Sequence, residues 1–195
     1  MPGLTDGNDY DRLSFEGLDF SGQSSEESHF ADCVFANCTL DEVHWKHSHF
    51  LDTQFSGSRA TRLEMPSTSL RDVEFIDCRI GALVAHGSQW TNVHIHGGKL
   101  DYLNLRGATI DTVRIEGCGI GDLDLSGATV TRLVVVESRI QQLTLTRARL
   151  KQTDFRGAEL SLITGLIELA GATISQEQLH DLAPALASHL QIDVD

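Results

Sequence analysis

Basic residues are scarce in this chain: 15 lysines and arginines stand against 28 aspartates and glutamates, a formal net charge of −13. Such a balance argues against nucleic acid or an anionic membrane as a direct partner, since both need a basic surface. No apolar run approaches the length of a membrane span. The opening MPGLTDGNDYDRLSF lacks the charged and apolar regions of a signal peptide. A soluble, cytoplasmic protein is expected. Catalytic signatures are missing as well. There is no nucleophile with a general base at a recognisable spacing, no phosphate-binding loop and no metal motif. The sequence therefore points to no enzyme, no cofactor and no metal.

What is present is a repeat. Every fifth residue from Phe15 to Leu160 is apolar except Ser25, and all eight phenylalanines and both tryptophans fall in this frame. The four cysteines (Cys33, Cys38, Cys78, Cys118) share a second frame two residues earlier, which makes them core residues of a reducing compartment rather than disulfide partners. With 195 residues, 41% of them hydrophobic, the chain can bury one substantial core.

A period of five fits neither a helix at 3.6 nor a flat strand at 2. It fits a chain that runs straight for two or three residues, turns and repeats, one large side chain pointing inward per side. The residue two earlier shares that face. It alternates between larger residues at positions ending in 3, such as Leu13, Val73 and Leu143, and small ones at positions ending in 8, such as Ser58, Ala108 and Ala158. The unit is thus a ten-residue pair of unequal sides, and the turns are expected to alternate in type, with positive φ at glycines such as Gly57, Gly107 and Gly157. At a spacing of twenty, Phe15, Phe35, Phe55 and Phe75 form a ladder, so one coil has four sides. Seven and a half coils at about 4.8 Å give a rod roughly 36 Å long.

These features resemble the pentapeptide-repeat family. The best copies of its motif are LDFSG at Leu18–Gly22, LNLRG at Leu103–Gly107, LDLSG at Leu123–Gly127 and TDFRG at Thr153–Gly157. The Asp/Asn position of that motif is often His, Arg, Glu or Thr here. The resemblance implies an all-β solenoid, a right-handed quadrilateral β-helix, over residues 13–174. Residues 1–12 are expected to be a flexible N-terminus. Residues 175–195 are expected to be a helical cap and tail. Gln23–His29, polar at inward positions, is expected to bulge or start late. Ser58–Ser69, with Pro66, is expected to kink. Around Ser161–Glu168 the frame shifts by one as the coil ends.

A solenoid end exposes apolar side chains and unpaired backbone, so it needs a cap. SQEQ at Ser175–Gln178 reads as a capping box opening a helix. Leu179, Leu182, Leu186 and Leu190 then share one helical face, with Pro184 expected to kink or divide the helix. Ile192 and Val194 could form a short strand in the tail. The plain reading of the leucine face is a cap. The other is a homodimer interface, which the resemblance implies, since C-terminal ends join two rods in better-known members.

Function must then lie on the outer surface. The seven histidines of the repeat (His29, His44, His47, His49, His86, His94, His96) point outward by phase, and His29 and His49 should stack on successive coils. A metal site at that pair would need further ligands, and the cysteines face the wrong way. Asp32, Asp52, Asp72 and Asn92 form a column at a turn position. Turn chemistry explains it, and so does a line of charge mimicking a phosphate backbone. Arg59, Arg79, Lys99 and Arg139 form a basic column on another face. Charge is uneven along the chain: −8 over residues 1–50, neutral over 51–100 and 101–150, and −5 over 151–195. Asp154, Glu159 and Glu168 add acid at the C-terminal end.

The leading expectation is a non-catalytic protein-binding scaffold. The segments FADCVFANCTL and LRDVEFIDCRI, the length and the acidity look like the subgroup that binds DNA gyrase or topoisomerase IV as DNA mimics and protects them from quinolones or albicidin. The alternative is a structural or adaptor scaffold for another protein.

Overall fold

A computed structural model describes residues 3–193 as a four-sided parallel β-solenoid of about eight turns closed by a C-terminal helix. Each side pairs with the side twenty residues later in parallel register, as in Phe15↔Phe35, Phe55↔Phe75 and Val93↔Val113. The frame of five translates directly into burial. All thirty positions from Phe15 to Leu160 are buried except Leu160, which is half-buried. The phenylalanine ladder stacks at 4.8, 5.0 and 4.8 Å between ring centres. Ring faces at that distance in offset stacks contribute beyond the area they bury.

Several expectations shift. The coil starts earlier than residue 13: Asp9–Asp11 is a strand paired with His29–Ala31, and Tyr10 is buried on the ring of Phe30. Leu13 sits on the first copy of its side, Ser14–Glu16 pairing with Val34–Ala36 above, and it stays exposed with no coil beneath. Gln23–His29 does not bulge. Ser25 and Ser28 are buried and bonded, Ser25 Oγ donating to the Thr5 carbonyl at 2.8 Å and lying 2.9 Å from Ser28 Oγ, so hydroxyls replace an apolar filler without orphaned groups. Ser58–Ser69 keeps the register through Pro66, with Arg59–Glu64 paired to Arg79–Val84.

Turn type does not alternate within the ten-residue unit. Left-handed backbone occurs at positions ending in 2 (Asp32, Asp52, Asp72) as well as in 7 (Asn37, Gly57, Asp77). What differs is one corner in four. Ala82, Tyr102, Asp122 and Gln142 stay out of that region, and six-residue strands such as Arg79–Val84 and Lys99–Asn104 run through the bend. The backbone there approaches the coil below so closely that a Cβ on Gly81 or Gly121 would meet the carbonyl oxygen of Thr61 or Asp101. Gly157 lies outside the left-handed set too, at a bulge where the register slips against Val136.

The end of the rod shows the expected frame shift: Ala172–Thr173 pairs with Thr153 and Asp154, nineteen residues back. Helix α1 (Gln176–His189) then opens on the capping box, Ser175 Oγ accepting from the Gln178 amide and Gln178 Oε1 from the Ser175 amide. The Gln178 Nε2 donates at 2.6 Å to the carbonyls of both Phe155 and Ala158, covering two backbone acceptors of the last coil. One buried amide thus caps the helix and the solenoid together. Pro184 does not divide the helix. Gln191–Asp193 is not a strand: Gln191 turns left-handed and the Ile192 amide bonds the Ala187 carbonyl, a Schellman-type stop. No helix of the described residues is long and apolar enough to cross a membrane.

Candidate functional site

One coherent surface feature is an acidic edge. Asp32, Asp52, Asp72 and Asn92 all have φ between 47° and 55°. Asp and Asn tolerate the left-handed region better than most residues, because the short polar side chain bonds local backbone. Turn chemistry thus accounts for the residue type. It also leaves three carboxylates at one corner of three successive coils. With Gln54, Glu74 and His94 they line a shallow polar groove along the rod. Within it Asn92 Nδ2 donates to Asp72 Oδ1, and Gln54 Nε2 to Glu74 Oε2 at 3.0 Å.

The acids expected at the other end are engaged locally. Asp154 is clamped by Arg156 Nη2 at 2.7 Å, which holds its carboxyl below the usual aspartate range. Glu159 pairs with Arg139 at 2.9 Å, and Glu168 Oε1 accepts the Arg147 amide. The structure therefore separates the six acidic candidates. Asp32, Asp52 and Asp72 form one edge, while Asp154, Glu159 and Glu168 neutralise neighbours near the last coil. The basic column is real in register, with Arg59, Arg79 and Lys99 on successive coils, and Lys99 Nζ already holds Asp101 at 2.7 Å.

The leucine face of α1 is split. Leu182 is buried against the solenoid and Leu186 is half-buried. Leu179, Leu190 and Ile192 are exposed by 49%, 65% and 55%. Val194 lies outside the described residues. Two jobs are thus divided over one helix, an inner side that caps and an outer apolar side that stays open.

The histidines lie as their phase requires: His29 and His49 stack at 4.9 Å with rings 7° from parallel. One grouping escaped the sequence. His94, His96 and Glu116 come together because Glu116 stands one coil beyond His96. The His-x-His spacing was visible, but its third member emerges only with the twenty-residue register. All four thiols are free and buried, and burial pushes Cys78 and Cys118 up to about 11.

Residues 28–105 match the family model described as a pentapeptide repeat region. The same five-residue frame and inter-coil register extend on both sides of that match. No curated protein matches the sequence. Among solved structures it is similar to full-length QnrB1, a plasmid-mediated fluoroquinolone resistance protein, at 15% identity and a TM-score of 0.45 over 94% of this chain and 99% of that one. It is also similar to HetL, a pentapeptide repeat protein involved in heterocyst differentiation regulation from the cyanobacterium Nostoc sp. strain PCC 7120. There the identity is 15% and the TM-score 0.23, over 89% of this chain and 93% of the other.

Proposed function

We propose that the protein is a non-catalytic, protein-binding rod of the cytoplasm that engages a type II topoisomerase, DNA gyrase or topoisomerase IV, as a DNA-like acidic surface and shields it from poisons. The observation that carries this reading is the Asp32–Asp52–Asp72 edge, which starts in the acidic first fifty residues and runs along a groove lined by no lysine or arginine. Strand spacing places these carboxylates about 4.8 Å apart on a rigid support. A chain of charge so fixed can present itself to a cationic saddle without losing conformational entropy. The partner's identity is supported by the sequence resemblance to the topoisomerase-protecting subgroup. Two rods joined through the open side of α1 (Leu179, Leu190, Ile192) would bring the −5 of each C-terminal segment together at the centre of the homodimer.

A second reading, an adaptor for a different protein, is favoured by the charge of residues 51–150, which is zero overall, with five of the ten arginines there held in ion pairs. A supercoiling assay separates the two. Purified gyrase challenged with a quinolone or albicidin should keep its supercoiling activity at micromolar protein. Absence of any effect on gyrase or topoisomerase IV, with or without poison, sinks the topoisomerase reading and leaves the adaptor.

A further inference from the structure

Next to the acidic groove, two coils converge on a different chemistry. His94 and His96 flank the inward Ile95 on the strand Gln89–His96, so both imidazoles leave the same outer face. Glu116, on the following coil, is in parallel register with His96. One ligand atom from each residue, a ring nitrogen from either histidine and a carboxylate oxygen, lie within 4.8 Å of one another. The two rings meet edge to face at 5.6 Å. His94 Nε2 is sealed from solvent, finds no hydrogen-bond partner among the described residues, and lies 3.7 Å from Glu116 Oε2. That separation is too long for a hydrogen bond. It is close to what two ligands show when each sits about 2.0–2.2 Å from a shared tetrahedral ion.

We propose that His94, His96 and Glu116 form a site for a divalent transition-metal ion of the zinc class, on the outer wall of the rod. Two imidazoles and one carboxylate are a donor set that suits Zn²⁺ and leaves a coordination position open to water or to a group on a partner. The ligands come from neighbouring coils, so the ion would fasten one coil to the next. A resident cation competes for it. Arg114 Nε contacts Glu116 Oε2 at 2.6 Å, the same oxygen that faces His94. The guanidinium is half-exposed and free to swing away, so it weakens the site without closing it. Glu74, in register on the other side of His94, adds to the negative field around the imidazole. The stacked histidines His29 and His49 meet a carboxylate only at His29, where Asp9 lies 3.1 Å away, and do not gather three ligand atoms, so they serve as an internal control.

Calorimetric titration of the chelator-treated full chain with zinc chloride tests the site independently of any topoisomerase assay. One equivalent should bind saturably. H96A and the double variant H94A/H96A should weaken binding at least tenfold, E116Q should weaken it, and R114Q should tighten it severalfold. H29A/H49A should bind as the parent does. The thermal midpoint should rise with zinc in the parent and not in H94A/H96A. No saturable binding by the parent overturns the proposal. So does wild-type affinity in H94A/H96A, or loss of binding in H29A/H49A. His96 and Arg114 are exposed, so their substitution leaves the core untouched.

Discussion

The two halves of the rod share one frame and fill it with different matter. Between Tyr10 and Trp90 the interior is largely stacked rings: Tyr10, Phe30 and Phe50 form one column at 4.6 and 4.7 Å, beside the Phe15–Phe75 ladder. From Ile95 onward the same columns hold Ile115 and Val135 before Phe155 closes them. The backbone differs too. The first coils use strands of two or three residues, whereas those from His49 to Thr144 run for six to sixteen. Yet the pairing offset is twenty in both, Phe15↔Phe35 as much as Ile115↔Val135. Register is therefore a property of the corners and the backbone ladder, and the identity of the filler is free to vary in shape. What varies with it is how much each coil contributes.

The largest expected effect tests that division. Phe35 is fully buried between the rings of Phe15 and Phe55. Phe35→Ala should cost about 3–5 kcal/mol, through lost transfer energy and a cavity that stacked neighbours cannot fill. Ile115→Ala, in the same column of the aliphatic half, should cost about 2–5 kcal/mol and fall below Phe35→Ala because no ring stack is lost. Denaturant midpoints at unchanged slope measure both. Equal costs would show that the aromatic half holds no packing advantage.

A smaller effect comes from the buried thiols. Burial pushes Cys78 and Cys118 up to about 11, and raises Cys33 and Cys38 as well without a comparable displacement. A raised thiol binds its proton in the folded state where the unfolded chain has released it. Stability should thus be full below about pH 8.5 and fall as pH rises toward 11, by at most about 1.4 kcal/mol per pH unit for each shifted thiol. All four are at most 4% exposed, so alkylation followed by mass spectrometry should label them only as the chain unfolds. Early labelling of Cys78 would contradict the burial that raises it.

Legibility followed the same line between frame and filler. The centres, the four sides, the ladders and the capping box were readable because each is a fixed offset along the chain. The buried Ser25 was misjudged, since its hydroxyl bonds to Thr5, a partner on the preceding coil. The corner type was hidden because Asp122 and Asp32 look equally suited to a turn, and only contact between coils decides which bends through a continuous strand. Of the candidate surface, the Asp column was visible by register. The engagement of Asp154 by Arg156 and the approach of Glu116 to His94 depend on side-chain directions that no spacing records.

The smallest effect on stability carries the most about function. Asp52 and Asp72 sit in left-handed backbone at φ 47° and 55°, and Asn92 occupies the next place in their column at 53°. Asparagine is thus already accepted at this corner, and it keeps the short polar side chain that the turn uses. The double substitution Asp52→Asn/Asp72→Asn should change stability by no more than about 0.5 kcal/mol, as for other surface positions, since an asparagine oxygen at position 72 can still accept from Asn92 Nδ2. It removes two of the three carboxylates of the edge and nothing else. If the edge acts as a phosphate-like line, protection of gyrase by this variant should fall and the salt dependence of binding should weaken. Unchanged protection with unchanged stability would reduce the column to turn chemistry, and the partner would have to be sought on the neutral faces of the rod.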